Sequence, residues 1–205
     1  MKQLKLLVAA FLLLSATNIQ AQKIKITQGD LGFLKGQTEV LVEYDYSQLA
    51  VGKFDKEEDY IAKKVAEYNE KKPGSGDEWK VKWEADRAER YHPKFEELLN
   101  SYTSKVNCSF NQTNTNAQYT LILKTTFTEP GWNIGISRMD ASINVEIIFV
   151  ETVNHDNQLA VITMTGVPGR GAMGNDYDTG FRIQEAYAKC GKETGAFLVK
   201  KAFKE

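Results

Sequence analysis

Alternation of apolar and polar positions is clearest between residues 117 and 166. Apolar or small residues occupy the odd positions from Ala117 to Phe127, and polar residues occupy most of the even ones. The same alternation returns from Ala141 to Phe149, and a third apolar run, Leu159 to Thr165, follows a polar turn at 154–157. A period of two predicts strands with one buried face. The short turn predicts that the second and third strands form a hairpin.

Weaker periodic patterns lie on either side of this region. Lys23 to Thr27 and Thr38 to Tyr46 alternate as strands do. Phe181 to Phe203 instead has the spacing of an amphipathic helix, whose apolar side consists of Ile183, Tyr187, Cys190, Thr194, Phe197 and Leu198. Gly191 and Gly195 in this segment are small, and we expect them to let the helix approach the sheet closely.

The segment from about residue 53 to 105 differs in kind from the rest. Residues 53–97 carry 11 basic and 13 acidic side chains and few β-branched ones, which favours helix. We expect a charged helical insertion that lies outboard of the core and has no reactive groups. The resulting order, β-β-helical block-β-β-β-α, predicts an α+β fold. Its sheet should be antiparallel, with about five strands and with helices packed on one face.

The first 21 residues have the pattern of an export signal. Lys2 and Lys5 precede the apolar run Leu6–Leu14, and small and polar residues follow as far as Ala21. The apolar run is shorter than the roughly 20 residues that a membrane-spanning helix needs. We therefore expect cleavage after Ala21, with Ala16 as a second site, and a single domain over residues 22–205. The mature protein should be periplasmic or secreted, without a transmembrane span.

The net charge limits the classes of partner that the chain can bind, and the two cysteines raise the question of a disulfide. Removing the two lysines of the signal leaves 24 basic against 27 acidic residues, a net charge of 24 − 27 = −3. Such a chain lacks the basic footprint of a nucleic-acid-binding protein. Cys108 and Cys190 could form a disulfide in an oxidising compartment. The alternative is that each is a small buried hydrophobe.

Aromatic residues mark two candidate contact regions. The turn Glu129-Pro-Gly-Trp-Asn joins two core strands, and we predict a contact surface at Trp132, Asn133 and Arg138. The alternative is a turn whose indole covers the open end of the sheet. Trp79 and Trp83 are four residues apart on a helix, so they share a face. They could line a groove for a sugar or peptide, or form the small core of the helical block.

A glycine-rich loop at 166–180 is a third candidate, and Arg170 lies within it. Several glycines can expose backbone N–H groups to an anion ahead of a helix. The loop does not match the phosphate-loop pattern, and its Gly-x-Gly-x-x-Gly letters stand several residues before the predicted helix. The plainer interpretation is a mobile loop at the edge of the sheet.

Catalytic and metal-binding residues are not indicated by any spacing in the chain. His92 precedes a proline, and His155 lies in the predicted turn. Neither histidine is spaced with cysteines or carboxylates as a zinc site requires, and no nucleophile-elbow sequence is present. Adjacent acids such as Glu96 and Glu97 point to different sides of a helix. We therefore assign no catalytic residue, metal ligand or cofactor.

Two motifs carry a resemblance to known proteins: the Glu129-Pro-Gly-Trp-Asn turn, and Arg182-Ile-x-Glu-Ala-Tyr-Ala-Lys-Cys-Gly-Lys in the last helix. With the export signal, they resemble an uncharacterised family of exported proteins of Gram-negative bacteria. The order of elements is also similar to the envelope domains at the amino end of TolB and in curli-secretion proteins. The resemblance implies binding or assembly with an envelope protein or surface ligand, and it brings no catalytic residues. The alternatives are a carrier of a small apolar or sugar ligand and a carboxylate-based hydrolase.

Overall fold

The computed structural model describes residues 23–170 and 176–203. Its strands are β1 (Lys23–Gly29), β2 (Glu39–Asp45), β3 (Ala50–Val51), β4 (Ser109–Asn111), β5 (Tyr119–Glu129), β6 (Trp132–Asn133), β7 (Arg138–Met139), β8 (Ala141–Glu151) and β9 (Asn154–Gly169). Its helices are α1 (Glu57–Lys71), α2 (Ser75–Asp86), α3 (His92–Thr103) and α4 (Thr179–Lys201). The predicted signal peptide and its cleavage sites lie outside the described residues.

The α+β class is confirmed, and the main sheet is larger than expected. Within the described residues it has seven strands in the order β1-β9-β8-β5-β2-β4, with β3 also beside β5. The pairs β1–β9, β9–β8 and β8–β5 are antiparallel, and β8 and β9 form the predicted hairpin. The pairs β2–β5, β2–β4 and β3–β5 are parallel, so the sheet is mixed. Parallel neighbours need a long crossover, which the helical block between β2 and β5 supplies.

The helical block is part of the core and not an outboard addition. A π-helical turn at Arg87–Tyr91 joins α2 to α3, and Pro93, which has no N–H to donate to the preceding turn, follows it directly. Phe95 and Leu99 of α3 are fully buried in the same hydrophobic cluster as the sheet. Helix α1, in contrast, contains no buried residue. The charged composition therefore describes the outer surface of the block, while a few apolar positions hold it in place.

The last helix, α4, lies against the sheet and α3. It begins where Asp178 Oδ1 accepts hydrogen bonds from the amides of Gly180 and Phe181, at 2.8 and 3.3 Å. The predicted apolar side is buried as expected, apart from the half-buried Phe197. Gly191 and Gly195, however, face α3 and not the sheet. A Cβ on Gly191 would lie 2.2 Å from the Phe95 carbonyl oxygen, so these glycines set the approach of two helices.

The two faces of the sheet differ in exposure. On β8 the expected alternation is present: Ile143, Val145 and Ile147 are buried under the helices, and the residues between them are half-buried on the other face. On β5 the alternation changes after Thr125, because a bulge shifts the register before Phe127. Thr128 is consequently buried and Phe127 is only half-buried, contrary to the strict odd-position pattern.

The two cysteines are free thiols, so the disulfide considered from the sequence is not formed. Cys190 lies on the buried side of α4, with its Sγ 3.8 Å from Met164 Sδ on β9. Cys108 follows α3 and is also buried. Burial raises the pKa of Cys108 to about 11 and that of Cys190 to about 12. Both therefore act as small hydrophobes that stay protonated at neutral pH.

Candidate functional site

A two-stranded hairpin of its own joins β5 to β8. Its strands contribute two cross-strand pairs, Trp132 with Met139 and Asn133 with Arg138. The Ile134 amide donates to the Ser137 carbonyl at 3.1 Å, and the Gly135 amide donates to Asn133 Oδ1 at 2.8 Å. Gly135 has φ +83°, which the first loop position of a tight hairpin turn often requires and which a side chain would disfavour. The hairpin therefore has a defined turn at Gly135–Ile136.

Large apolar side chains cluster at this turn, and we refer to them as the apolar tip: Trp132 (40% exposed), Ile134 (66%), Ile136 (96%), Met139 (41%) and Tyr177 (68%). Tyr177 comes from the segment before α4, and its hydroxyl lies 3.8 Å from where a Gly135 Cβ would be. Other exposed large apolar residues of the described chain lie singly, as Ile26, Val81 and Val153 do. Single exposed residues are ordinary, whereas a contiguous group is typical of an interaction site.

Arg182 of α4 fastens the base of the hairpin to the domain. Its side chain is 5% exposed. Nε donates to the Pro130 carbonyl at 3.2 Å, and Nη2 donates to the Gly131 carbonyl at 3.1 Å and to Thr179 Oγ1 at 2.9 Å. Nη1 donates to the Asp176 carbonyl at 2.5 Å. Burial lowers the pKa of Arg182, and the nearby carboxylates of Asp178 and Asp176 oppose that effect. One buried guanidinium thus positions both segments that carry the apolar tip.

The charged side chains around the apolar tip occur as pairs of opposite sign. Arg170 Nε donates to Asp140 Oδ2 at 2.7 Å. Asp176 Oδ2 accepts a hydrogen bond from Asn133 Nδ2 at 2.7 Å and lies 3.6 Å from Arg138 Nη1. Both arginines are largely exposed, so the pairs contribute little stability. They leave the rim of the tip without a net charge.

An open groove of about 410 Å³ runs beside Trp132, between α1 and the end of the sheet. Aromatic rings from Phe54 and Tyr60 lie along it in edge contact, with centroids 5.9 Å apart. Lys63 and Lys64 line the groove as well, but both pair with Glu67 at 3.3 Å. The groove is large enough for a small molecule.

Trp79 and Trp83 belong to a different place, the aromatic cluster, which we define as Tyr60, Tyr68, Trp79 and Trp83 between α1 and α2. The two indoles stack with centroids 5.5 Å apart. Trp83 is 6% exposed, and its Nε1 donates to Glu57 Oε1 at 2.7 Å. The other oxygen of Glu57 is bound by Arg87. The spacing correctly placed the indoles together, and they form the interior of the helical block.

The two histidines lie on opposite faces of the sheet. His92 stacks on Tyr44 with ring centroids 3.6 Å apart, and its Nε2 is 3.1 Å from the Tyr46 hydroxyl. His155 contacts Glu43, with Nε2 3.2 Å from Oε2. Glu43 and Tyr44 are neighbours on β2 and so point in opposite directions. Burial, with a smaller contribution from Arg87, lowers the pKa of His92 to about 4.

No three His, Cys, Asp or Glu side chains of the described ranges converge as metal ligands would. In the same ranges no helix has the length and apolarity needed to cross a bilayer. The carboxylates nearest the aromatic cluster already have basic partners: Glu57 binds Arg87, and Asp86 lies 3.0 Å from Arg90.

Four of the six contact residues predicted from the sequence come together at the hairpin: Trp132, Asn133, Arg138 and Arg170. The loop that carries Arg170 begins later than expected, because β9 continues through Pro168 and Gly169 in pairing with β8. Residues 171–175 of that loop lie outside the described residues. Sequence reasoning missed Ile134, Ile136, Met139, Tyr177 and Arg182. Two isoleucines on either side of a turn glycine were the available signal.

The fold and site together define an α+β domain with a mixed sheet and a hairpin that exposes apolar residues. Neither a protein-family model nor a curated protein sequence matches the chain. Among solved structures, the chain is similar to the PelC dodecamer from Paraburkholderia phytofirmans, with 11% identity, a TM-score of 0.33, and coverage of 82% of this chain and 96% of that one. A point variant of PelC gives 10% identity, a TM-score of 0.36, and coverage of 82% and 99%. The resemblance to TolB and curli-secretion domains stays a prediction.

Proposed function

We propose that this chain is an exported, non-enzymatic protein of the bacterial envelope that acts in binding or assembly, with the apolar tip as its contact surface. The observation that carries this proposal is the grouping of five exposed apolar side chains, four on one hairpin and Tyr177 beside its turn. Leaving such a group in water forgoes roughly 25 cal/mol for each Å² of apolar surface that a partner could cover. A partner that covers the tip therefore gains affinity without rearranging the fold.

The sequence pattern of residues 1–21 supports export by signal cleavage. Cleavage after Ala21 would leave Gln22 as the first residue of the mature protein. Amino-terminal sequencing of the protein from a periplasmic fraction should begin at Gln22. A protein that stays in the cytoplasm with Met1 intact would contradict the export part of the proposal.

Site-specific photo-crosslinking tests the contact surface in cells. A photoreactive amino acid at Ile136 should give discrete adducts in the envelope fraction, because this side chain is 96% exposed at the tip. The matched control is the same amino acid at Val153, which is 93% exposed in the turn of the β8–β9 hairpin. Equal adduct patterns from the two positions, or none from Ile136, would reject the apolar tip as the contact surface.

A carrier of a small apolar or sugar ligand is the second candidate, and the groove beside Trp132 is the observation that favours it. The groove offers Phe54 and Tyr60 rings against which a sugar or an apolar group could stack. A carrier should bind a soluble sugar or dye in calorimetry, and Tyr60→Ala should abolish that binding. Such binding with unchanged crosslinking at Ile136 would assign separate roles to the groove and the tip.

A further inference from the structure

Ile136 occupies a position where the fold itself has no use for it. It is the second residue of a two-residue hairpin turn, a position that usually carries a polar residue or glycine. With 96% of its surface exposed, it contributes almost nothing to packing. Ile134 on the other side of Gly135 is 66% exposed. Folding therefore does not explain why the two most prominent positions of the hairpin are branched aliphatic residues.

The residues of the apolar tip are arranged in layers along the hairpin. The isoleucines are at the turn, and the cross-strand pair Trp132 and Met139 comes two residues further down. Tyr177 lies beside the turn. At about 3.3 Å per residue, Trp132 lies roughly 10 Å from the end of the turn. Aliphatic residues about 10 Å beyond a tryptophan match the acyl boundary and the interface of a bilayer, where insertion is about 5–10 Å deep.

Part of the polar surface of this turn already has partners. The amides of Ile134 and Gly135 donate within the hairpin. The nearest charges are paired, Arg138 with Asp176 and Arg170 with Asp140. Each backbone group that is bonded in this way lowers the cost of entering a lipid phase. Because the rim has no net charge, attraction to anionic lipid is not needed and is not favoured.

We infer that the apolar tip inserts into the surface of a lipid bilayer, with the two isoleucines among the acyl chains and Trp132 at the level of the headgroups. This inference rests on the proposed function, since it names the partner of the same surface. A convex two-residue turn has no cavity to receive a partner side chain, but it needs none to enter lipid. The bound area is small, so one hairpin holds the membrane weakly and reversibly, as a single acyl anchor does.

Vesicle flotation of the chain from Gln22 to Glu205 tests the insertion. This form is used because the apolar segment Leu6–Leu14 would itself bind lipid. The chain should float with vesicles of phosphatidylcholine alone and equally with vesicles that contain as much phosphatidylglycerol as phosphatidylcholine, at low and high salt. The double variant Ile134→Ser/Ile136→Ser should partition more weakly by roughly one to two orders of magnitude. Val153→Ser is the matched control and should float like the unchanged chain.

Quenching by brominated lipid reports the depth of the tip independently of flotation. Tryptophan fluorescence should fall when brominated vesicles are added. Trp132→Phe should remove most of that fall, since Trp79 and Trp83 pack in the aromatic cluster of the helical block. Quenching that persists in Trp132→Phe would contradict insertion through the hairpin. Binding that occurs only with phosphatidylglycerol and is lost at high salt would also overturn the inference, because it would indicate electrostatic docking.

The flotation and crosslinking results separate this inference from the proposed function. No flotation with either vesicle, together with a discrete protein adduct from Ile136 in cells, would overturn the lipid partner and leave the contact surface in place. No flotation and no adduct specific to Ile136 would overturn both. Flotation that the double isoleucine variant retains in full would also reject the inference, since it would place the lipid contact elsewhere.

Discussion

The aromatic cluster of the helical block and the apolar tip both hold large apolar side chains, but only the first is enclosed by its own chain. Trp79 and Trp83 lie one helical turn apart, where the side chains of α1 can cover them. Trp132 lies on a two-stranded hairpin with no further element beyond the turn. The same residue type is therefore interior in one region and surface in the other.

The difference shows when a group of apolar side chains becomes buried: a neighbouring element of the same chain must be able to cover it. A helix presents a stripe that a neighbouring helix can cover, and α1 is connected to α2 by only a few residues. A hairpin turn projects its side chains beyond the last paired residues, so nothing local in the chain can reach them. Apolar residues at such a turn stay exposed unless another molecule covers them.

Replacing the two tryptophans by alanine should give the largest difference. Trp83→Ala would leave a cavity and remove the hydrogen bond to Glu57, so we expect a loss of about 3–5 kcal/mol in the free energy of unfolding. Trp132→Ala should change it by less than about 1 kcal/mol, because much of the indole is already in water. Urea denaturation followed by circular dichroism measures both. Equal losses would mean that the hairpin belongs to the core.

Arg182→Met should have the next largest effect, and it should act on the hairpin. The substitution keeps the apolar stem but leaves the carbonyls of Pro130, Gly131 and Asp176 without their donor, at a cost of about 3 kcal/mol. Amide hydrogen exchange should rise across the hairpin while the aromatic cluster stays protected. Arg138→Met is the control, since its exposed side chain should contribute within about 0.5 kcal/mol. Similar amide hydrogen exchange in both variants would show that Arg182 does not position the hairpin.

Much of the fold follows from local pattern, and the exceptions have identifiable causes. The alternation on β8 and the helical stripe of α4 were sufficient to place both. β4 has no such pattern, since it forms around a side chain: Asn100 Nδ2 donates to the Phe110 carbonyl at 2.7 Å, and its Oδ1 accepts from the Phe110 amide at 2.8 Å. The parallel pairing of β2 with β5 is a contact across the whole helical block, which no local period encodes.

The candidate site could be predicted only in part from the sequence, because it too depends on contacts between segments that are distant in the chain. Trp132 was noticed as an aromatic residue in a Pro-Gly turn, but Tyr177 is distant in the chain and joins the tip only through the fold. Arg182 was named only as the first residue of a motif in the last helix, and a charged residue of a helix is usually exposed. Its burial depends on carbonyls from two other segments. Ile134 and Ile136 were not singled out, because they lie between the predicted turn at 129–133 and the predicted strand that begins at Ala141.

Acidification should lower the stability of the folded protein through His92, which packs the helical block against the sheet. The ring has a pKa of about 4 in the folded protein against an ordinary value of 6.5, because burial disfavours its charged form. Between those values the unfolded chain binds a proton that the folded chain does not, so stability is present above pH 6.5 and is lost as the pH falls towards 4. Burial raises the pKa of the Glu96 carboxyl, which offsets part of this loss. After a discount for screening by the solvent that reaches the ring, we expect His92 itself to contribute a loss of about 2 kcal/mol.

The variant His92→Gln should reduce the fall in stability over this pH range, since glutamine does not titrate there. Denaturation midpoints in urea between pH 7 and pH 4 measure the effect. His155→Gln is the matched control, because that ring is exposed on the other face of the sheet and contacts Glu43. The control should lose stability on acidification much as the unchanged chain does. A fall in His92→Gln as steep as that of the unchanged chain would show that the His92 ring is hydrated in the folded protein, and that the helical block is less closely sealed against the sheet than its contacts with Tyr44 and Tyr46 indicate.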